Sequence, residues 1–204
     1  MATEGLRERK KRERRKAISD VAMRLFAERG YDAVTVAEIA RAADVSEQTV
    51  FNYFPAKEDL VFDEDEAMRD RLVEAIRDRP EGATLVEGFR RIPEAMLARL
   101  ESYDGVPLVG MAEMITGSPA LQRRARELMV ANAQALTQAI GEALDAPADS
   151  PRAWSIAGAL LGLQLGMFRM VVGELRQGTD RDAVVRRARA EVERALAQLE
   201  NGLS

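Results

Sequence analysis

The chain has 204 residues, 47% of them hydrophobic and 31% charged, with a formal net charge of −4 and a pI of about 5.2; this suffices for one or two domains with a sizeable core. It contains no cysteine and no histidine. Disulfides, thiolate metal sites and histidine-based triads are thereby excluded, and an enzyme built on this chain would depend on Asp, Glu, Lys or Tyr chemistry.

The opening residues are basic: Arg7, Arg9, Lys10, Lys11, Arg12, Arg14, Arg15 and Lys16 stand against only Glu4, Glu8 and Glu13. No apolar run precedes Ala17, so the segment does not read as a signal peptide, and the cytoplasm is the expected location. Ile18, Val21, Ala22, Leu25 and Phe26 then recur at helical spacing, with Gly30 as the stop. Thr35 caps the next helix and Glu38, three places on, completes a capping box. The inner face of that helix is Val36, Ile39, Ala40 and Ala43. A turn falls at Asp44-Val45, and Ser46 caps a helix that runs to about Tyr53 and is ended by Pro55. Further helices are expected over about 57–79, 83–102 (kinked or split by Pro93), 106–115, 119–145, 151–175 and 179–201. No segment alternates apolar and polar residues long enough for a strand, so the expected class is all-α, with about nine helices. The apolar stretch 156–173 contains Gln164 and Arg169 and barely reaches spanning length, so it is expected in a core or a dimer interface and not in a membrane. Gly158, Gly162 and Gly166 share one face of it and allow close helix approach.

The segment 34–60, VTVAEIARAADVSEQTVFNYFPAKEDL, carries the functional signal. Val50 and Phe54 face inward, four residues apart, and Ser46, Glu47, Gln48, Thr49, Phe51, Asn52 and Tyr53 cover the remaining surface. Gln48 and Asn52 are amides of the type that read adenine, Thr49 suits a base edge or a thymine methyl, and Phe51 offers apolar contact to a thymine methyl. Tyr53 and Lys57 suit phosphates, and the start of the preceding helix can hold another with the help of Thr35. Two short helices joined by a tight turn, with such a face on the second, read as a helix-turn-helix whose second helix enters the major groove. The plain alternative is a helical hairpin with a solvated outer face. Adjacent Phe51 and Tyr53 with so few charges favour the DNA reading.

Residues 28–60, ERGYDAVTVAEIARAADVSEQTVFNYFPAKEDL, resemble the N-terminal domain of TetR-family (tetracycline-repressor-like) transcriptional regulators. The resemblance extends over about 14–62 and rests on Gly30, Tyr31, Thr35, Ile39-Ala40, Val45-Ser46, Thr49, Phe51, Tyr53-Phe54, Lys57 and Leu60. It implies a homodimer on a double-stranded, pseudo-palindromic operator. DNA contacts would come from Thr35, Ser46, Glu47, Gln48, Thr49, Phe51, Asn52, Tyr53 and Lys57. A two-fold axis sets the reading helices one DNA turn apart, about 34–36 Å. The domains implied are 1–56, a DNA-binding domain with a basic N-terminal arm, and 57–204, a helical domain for ligand binding and dimerisation. The sequence departs from the family pattern at Asp44, where glycine is usual, at Phe51, often tyrosine, and at Glu47. Glu47 either accepts from cytosine N4 or weakens non-specific binding by repelling phosphate.

Beyond residue 60 the resemblance implies only architecture. A small, apolar effector is expected in a pocket drawn from Phe89, Met96, Tyr103, Met111, Met114, Trp154, Phe168, Gln164 and Arg169, the last two as polar anchors; the same spacing also suits ordinary core. The last two helices offer the dimer stripes, Ala157, Leu160, Leu161, Leu165 and Phe168 on one, and Val184, Val185, Ala188, Val192, Ala195, Leu196 and Leu199 on the other. The expected function is a ligand-responsive regulator, most simply a repressor, without cofactor, metal or catalysis, in which the 57–79 helix links pocket to DNA reader. The alternative is a helical adaptor that retains the fold without operator binding, favoured by Glu47 and the acidic pI.

Overall fold

The computed structural model describes residues 5–102, 108–147 and 150–203, and every regular element among them is helical. In chain order these are α1 (Leu6–Arg29), α2 (Val36–Ala42), α3 (Glu47–Tyr53), a 3-10 turn (Lys57–Leu60), α4 (Asp65–Arg77), α5 (Leu85–Phe89), α6 (Arg91–Ser102), α7 (Leu108–Gly117), α8 (Pro119–Ala143), α9 (Pro151–Arg176) and α10 (Arg181–Leu203). Taking α5 and α6 as one kinked helix gives the nine expected. The break falls at Arg90 and not at Pro93, because Pro93 has no N–H to give the Phe89 carbonyl one turn earlier. Gly88 on α5 lies so close to α4 that a Cβ there would sit 2.4 Å from the Ala75 carbonyl oxygen.

The chain divides into two compact units, Met1–Asp65 with Val106–Ala125, and Glu66–Gly105 with Arg126–Ser204. The first therefore takes in 57–65 and 108–125, both beyond the expected line at residue 56. Its core is Ile18, Ala22 and Phe26 of α1, Tyr31, Val34, Ile39, Ala40, Val50, Phe54, Leu60, Val61 and, from α8, Leu121. The basic N-terminal residues do not form a separate arm: α1 is continuous from Leu6. Arg, Lys and Glu are good helix formers, and Arg9–Glu13 and Lys16–Asp20 pair one turn apart at 3.6 and 2.8 Å.

A single helix over 57–79 is also not what forms. The chain makes a 3-10 turn, and α4 starts only at Asp65. Tertiary contacts decide this. Leu60 and Val61 are drawn into the core, Ser19 Oγ donates to the Leu60 carbonyl (3.3 Å), and Asp59 accepts from the Ala56 N–H (3.0 Å) and from Arg124 (3.0 Å). Burying two aliphatic side chains is worth about 3–6 kcal/mol, more than one turn of helix can offer against it.

In the second unit α10 packs on α9, α6 and α5. Val184, Val185, Ala188, Val192 and Leu196 are buried there, so the stripe expected to face a partner is mostly spent within the protomer. α9 is long and apolar enough, by length and composition, to cross a membrane. One of its faces (Ala153, Ile156, Ala157, Leu160, Met167, Val171) is instead buried in this unit. The opposite face carries exposed Trp154 and Leu165, both 42% accessible, and the three glycines, where an added Cβ would meet nothing within 4 Å.

Candidate nucleic-acid interface

α2 begins as the sequence requires. Thr35 Oγ1 accepts from the Glu38 N–H (3.2 Å), while the Thr35 N–H and hydroxyl both donate to Glu38 Oε2 (2.8 and 2.9 Å). Arg29 closes the set with a 2.7 Å pair to Glu38. The backbone N–H of Thr35 and the Arg29 and Thr35 side chains together pull the Glu38 carboxyl down to about 2. This end of α2, expected as a phosphate seat, thus already holds a carboxylate. The turn to α3 passes through Asp44 at φ 52°, the left-handed region where glycine is usual and Asp is among the tolerated residues.

α3 is fixed from within by Val50 and Phe54, each 1% exposed. Ser46 Oγ accepts from the Thr49 N–H (3.1 Å) and lies 2.8 Å from the Thr49 hydroxyl. Glu47 stands in the first turn, where a carboxylate complements the helix dipole; this gives it a structural role whatever it does at DNA. On the outer face Gln48 Nε2 donates to Asn52 Oδ1 (3.1 Å), so the two amides are coupled and leave a carbonyl oxygen and an NH₂ group outward. Phe51 is 44% exposed beside them. Glu47, Gln48, Phe51 and Asn52 are exposed and Thr49 half-buried, so the structure places these expected readers on one short helix.

Tyr53 and Lys57 are more committed than the sequence suggests. Lys57 Nζ donates to the Tyr31 carbonyl (2.6 Å) and sits 4.2 Å from the Tyr31 ring centroid, and burial pushes its pKa down. One of its three donors is therefore used within the unit. Tyr53 is half-buried, and its carbonyl accepts from Arg15 Nη1 (2.7 Å). Arg15 also pairs with Asp63 (2.5 Å) and stacks 4.4 Å over the Phe54 ring. From the sequence Arg15 counts only among the basic opening residues, although its spacing to Ile18 and Ala22 puts it on the buried face of α1, where a cation needs partners.

The residues expected to line an effector pocket are divided between the two units. Phe89 is fully buried core of the second unit, and Gln164 donates to Met96 Sδ (3.4 Å). Phe168 is half-buried, whereas Trp154 and Arg169 lie on the exposed face of α9, which frees Arg169 from needing a buried partner. Met111 and Met114 belong to the first unit. Met114 there lines a hollow of about 610 Å³ with Phe26, Tyr31 and Ser118, whose hydroxyl donates to Asp32 (3.2 Å). Tyr103 lies outside the described residues.

Two short helices joined by a left-handed turn, the second held by buried Val50 and Phe54 and presenting amides outward, define a helix-turn-helix protein. Residues 18–63 match the family of bacterial regulatory proteins, tetR family. The HTH-type transcriptional regulator TcmR of Streptomyces glaucescens is 31% identical over 122 residues, covering 57% of this chain and 54% of TcmR; the chain thus matches about half the length of that relative. Among solved structures, NalD of Pseudomonas aeruginosa, the secondary repressor of the MexAB-OprM multidrug efflux pump, has a TM-score of 0.59 at 20% identity, over 91% of this chain and 96% of NalD. Thermus thermophilus FadR, a transcriptional repressor solved with lauroyl-CoA, has a TM-score of 0.51 at 23% identity, over 87% of this chain and 92% of its own. The similarity to the tetR family of bacterial regulatory proteins is thus carried by the N-terminal segment 18–63.

Proposed function

We propose that the protein is a dimeric, DNA-binding transcriptional regulator, acting in the cytoplasm as a repressor released by a small apolar effector. The observation that carries the DNA reading is the outer face of α3, where Gln48, Thr49, Phe51 and Asn52 stand on a helix whose opposite side is locked into the core. The dimer is supported by the α9 face of Trp154, Leu165 and the three glycines, which is exposed in the protomer. A repressor for an efflux pump and a repressor holding lauroyl-CoA among the neighbours of this fold support an apolar effector. Release requires the effector to bind the DNA-incompetent conformation more tightly than the competent one.

Titration of the full chain against the DNA flanking its own gene, at low salt, tests the reading. Retardation of a pseudo-palindromic fragment is expected, and Gln48→Ala relaxes preference at one base pair by about 1–3 kcal/mol. No retardation by any upstream fragment would overturn it.

A further inference from the structure

Four cations of α1, Arg7, Lys10, Lys11 and Arg14, stand at i, i+3, i+4 and i+7 and so form one stripe along the helix. All four are exposed, and none of their side chains forms a hydrogen bond or ion pair with another described residue. The acids nearby do not cancel them: Glu13 is paired with Arg9 at 3.6 Å, and Glu8 stands in the first turn of α1, where it complements the helix terminus. The stripe, together with Glu8 and Glu13, lines a shallow cleft whose other wall is Tyr53, at the end of α3, so that four cations stand there against two carboxylates. Its register against α3 is set by Arg15, through the Asp63 pair, the Tyr53 carbonyl and the Phe54 ring. A row of like charges on one helix face repels itself, in a chain whose net charge is −4. Such a row suits a polyanion running beside the reading helix.

We propose that this stripe is a second DNA-binding surface, which holds the phosphates of the strand flanking the half-site read by α3. The proposal rests on the DNA reading of α3 given above. From Arg7 to Arg14 the helix rises about 10 Å. With one phosphate per roughly 3.4 Å of axis on each strand, that length faces about three phosphates. The contacts carry no base information; they add affinity, footprint and salt dependence.

The test compares the full-length protein with its Arg7→Gln/Lys10→Gln/Lys11→Gln/Arg14→Gln variant, which keeps good helix formers throughout α1. Helical content and oligomeric state are checked by circular dichroism and sedimentation. Operator affinity is measured between about 50 and 200 mM salt. The variant's slope of log affinity against log salt is expected to be shallower by about 2–3 per subunit, from roughly 0.9 per phosphate contact. Base preference is expected to stay as in the parent, and protection to shorten at the outer edges of the footprint. An unchanged slope in a folded variant, while Gln48→Ala still relaxes base preference, overturns the stripe and leaves the reading of α3 standing. A wild-type chain that binds no upstream DNA overturns both. Loss of binding to phosphatidylserine vesicles with no change in the DNA slope would assign the stripe to a lipid surface and overturn it as a DNA contact.

Discussion

Leu121 lies in the first turn of α8, yet its side chain is 0% exposed and belongs to the core that carries α2 and α3. Leu121→Ala removes three carbons, about 2.4 kcal/mol of transfer free energy at about 0.8 per methylene, and leaves a cavity besides. The site has little freedom to collapse, because this stretch is pinned by Ser118 to Asp32 (3.2 Å) and by Arg124 to Asp59 (2.8 Å). The expected loss is therefore about 3–4 kcal/mol, and Leu121→Met, which nearly conserves volume, should lose under about 1.5. Hydrogen exchange read by mass spectrometry localises the effect. Amides of α2 and α3 that exchange through opening of the first unit should speed up by roughly 150- to 900-fold, at about 1.4 kcal/mol per factor of ten, while the slowest amides of α10 keep their rates. Operator affinity at 25 °C should change little if the unit has the usual reserve of stability, because the loss is in folding and not in contact. Faster exchange confined to α10, with α2 and α3 unchanged, would refute the assignment of Leu121 to the DNA-reading unit.

Asp44→Gly should stay within about 0.5 kcal/mol of the parent, since relief of the left-handed strain is offset by greater freedom of the unfolded chain, whereas Asp44→Val should lose about 2 kcal/mol; denaturant midpoints decide, and equal tolerance of valine and glycine would mean the turn is not left-handed. Glu38 has its folded pKa depressed to about 2 from an ordinary 4.5, so the unfolded chain binds the extra proton between these values. Its contribution is present above about pH 4.5 and lost as pH falls toward 2, and Glu38→Gln should flatten the stability profile across that window. Gly162→Leu should leave the protomer folded, because a Cβ there meets nothing within 4 Å, yet prevent close helix approach on α9. Sedimentation should then show monomers, and a dimer of unchanged affinity would place the interface elsewhere.

What the sequence made legible is what short-range chemistry controls. The Thr35–Glu38 box, the Ser46 cap, the Gly30 stop and the inward pair Val50 and Phe54 each depend on residues within four positions, and each stands as expected. The errors come from distant partners. The 57–60 segment has helical composition, but burial of Leu60 and Val61 and the Asp59–Arg124 pair impose a different path. Lys57 suits a phosphate by type, and what the sequence leaves out is that Tyr31, twenty-six residues away, engages one of its three donors and supplies a ring beside it. Arg169 and Trp154 look like pocket residues in an apolar helix, but which side of α9 is covered depends on where α10 and α6 lie. Periodicity locates a stripe; it does not say what lies against it.

The first unit is built from two separate lengths of chain, and two of its three junctions with the rest fall inside α8 and at the first residue of α4. A transplantable DNA reader is therefore not a contiguous stretch of this sequence. A cut after residue 56, the natural place for a fusion protein or a recombination event, would strand Leu60, Val61 and Leu121 in the wrong partner and expose the apolar surface they cover. On the proposed reading of α3, substituting its outer face would change specificity and leave the core that holds α3 untouched, whereas shuffling segments would not.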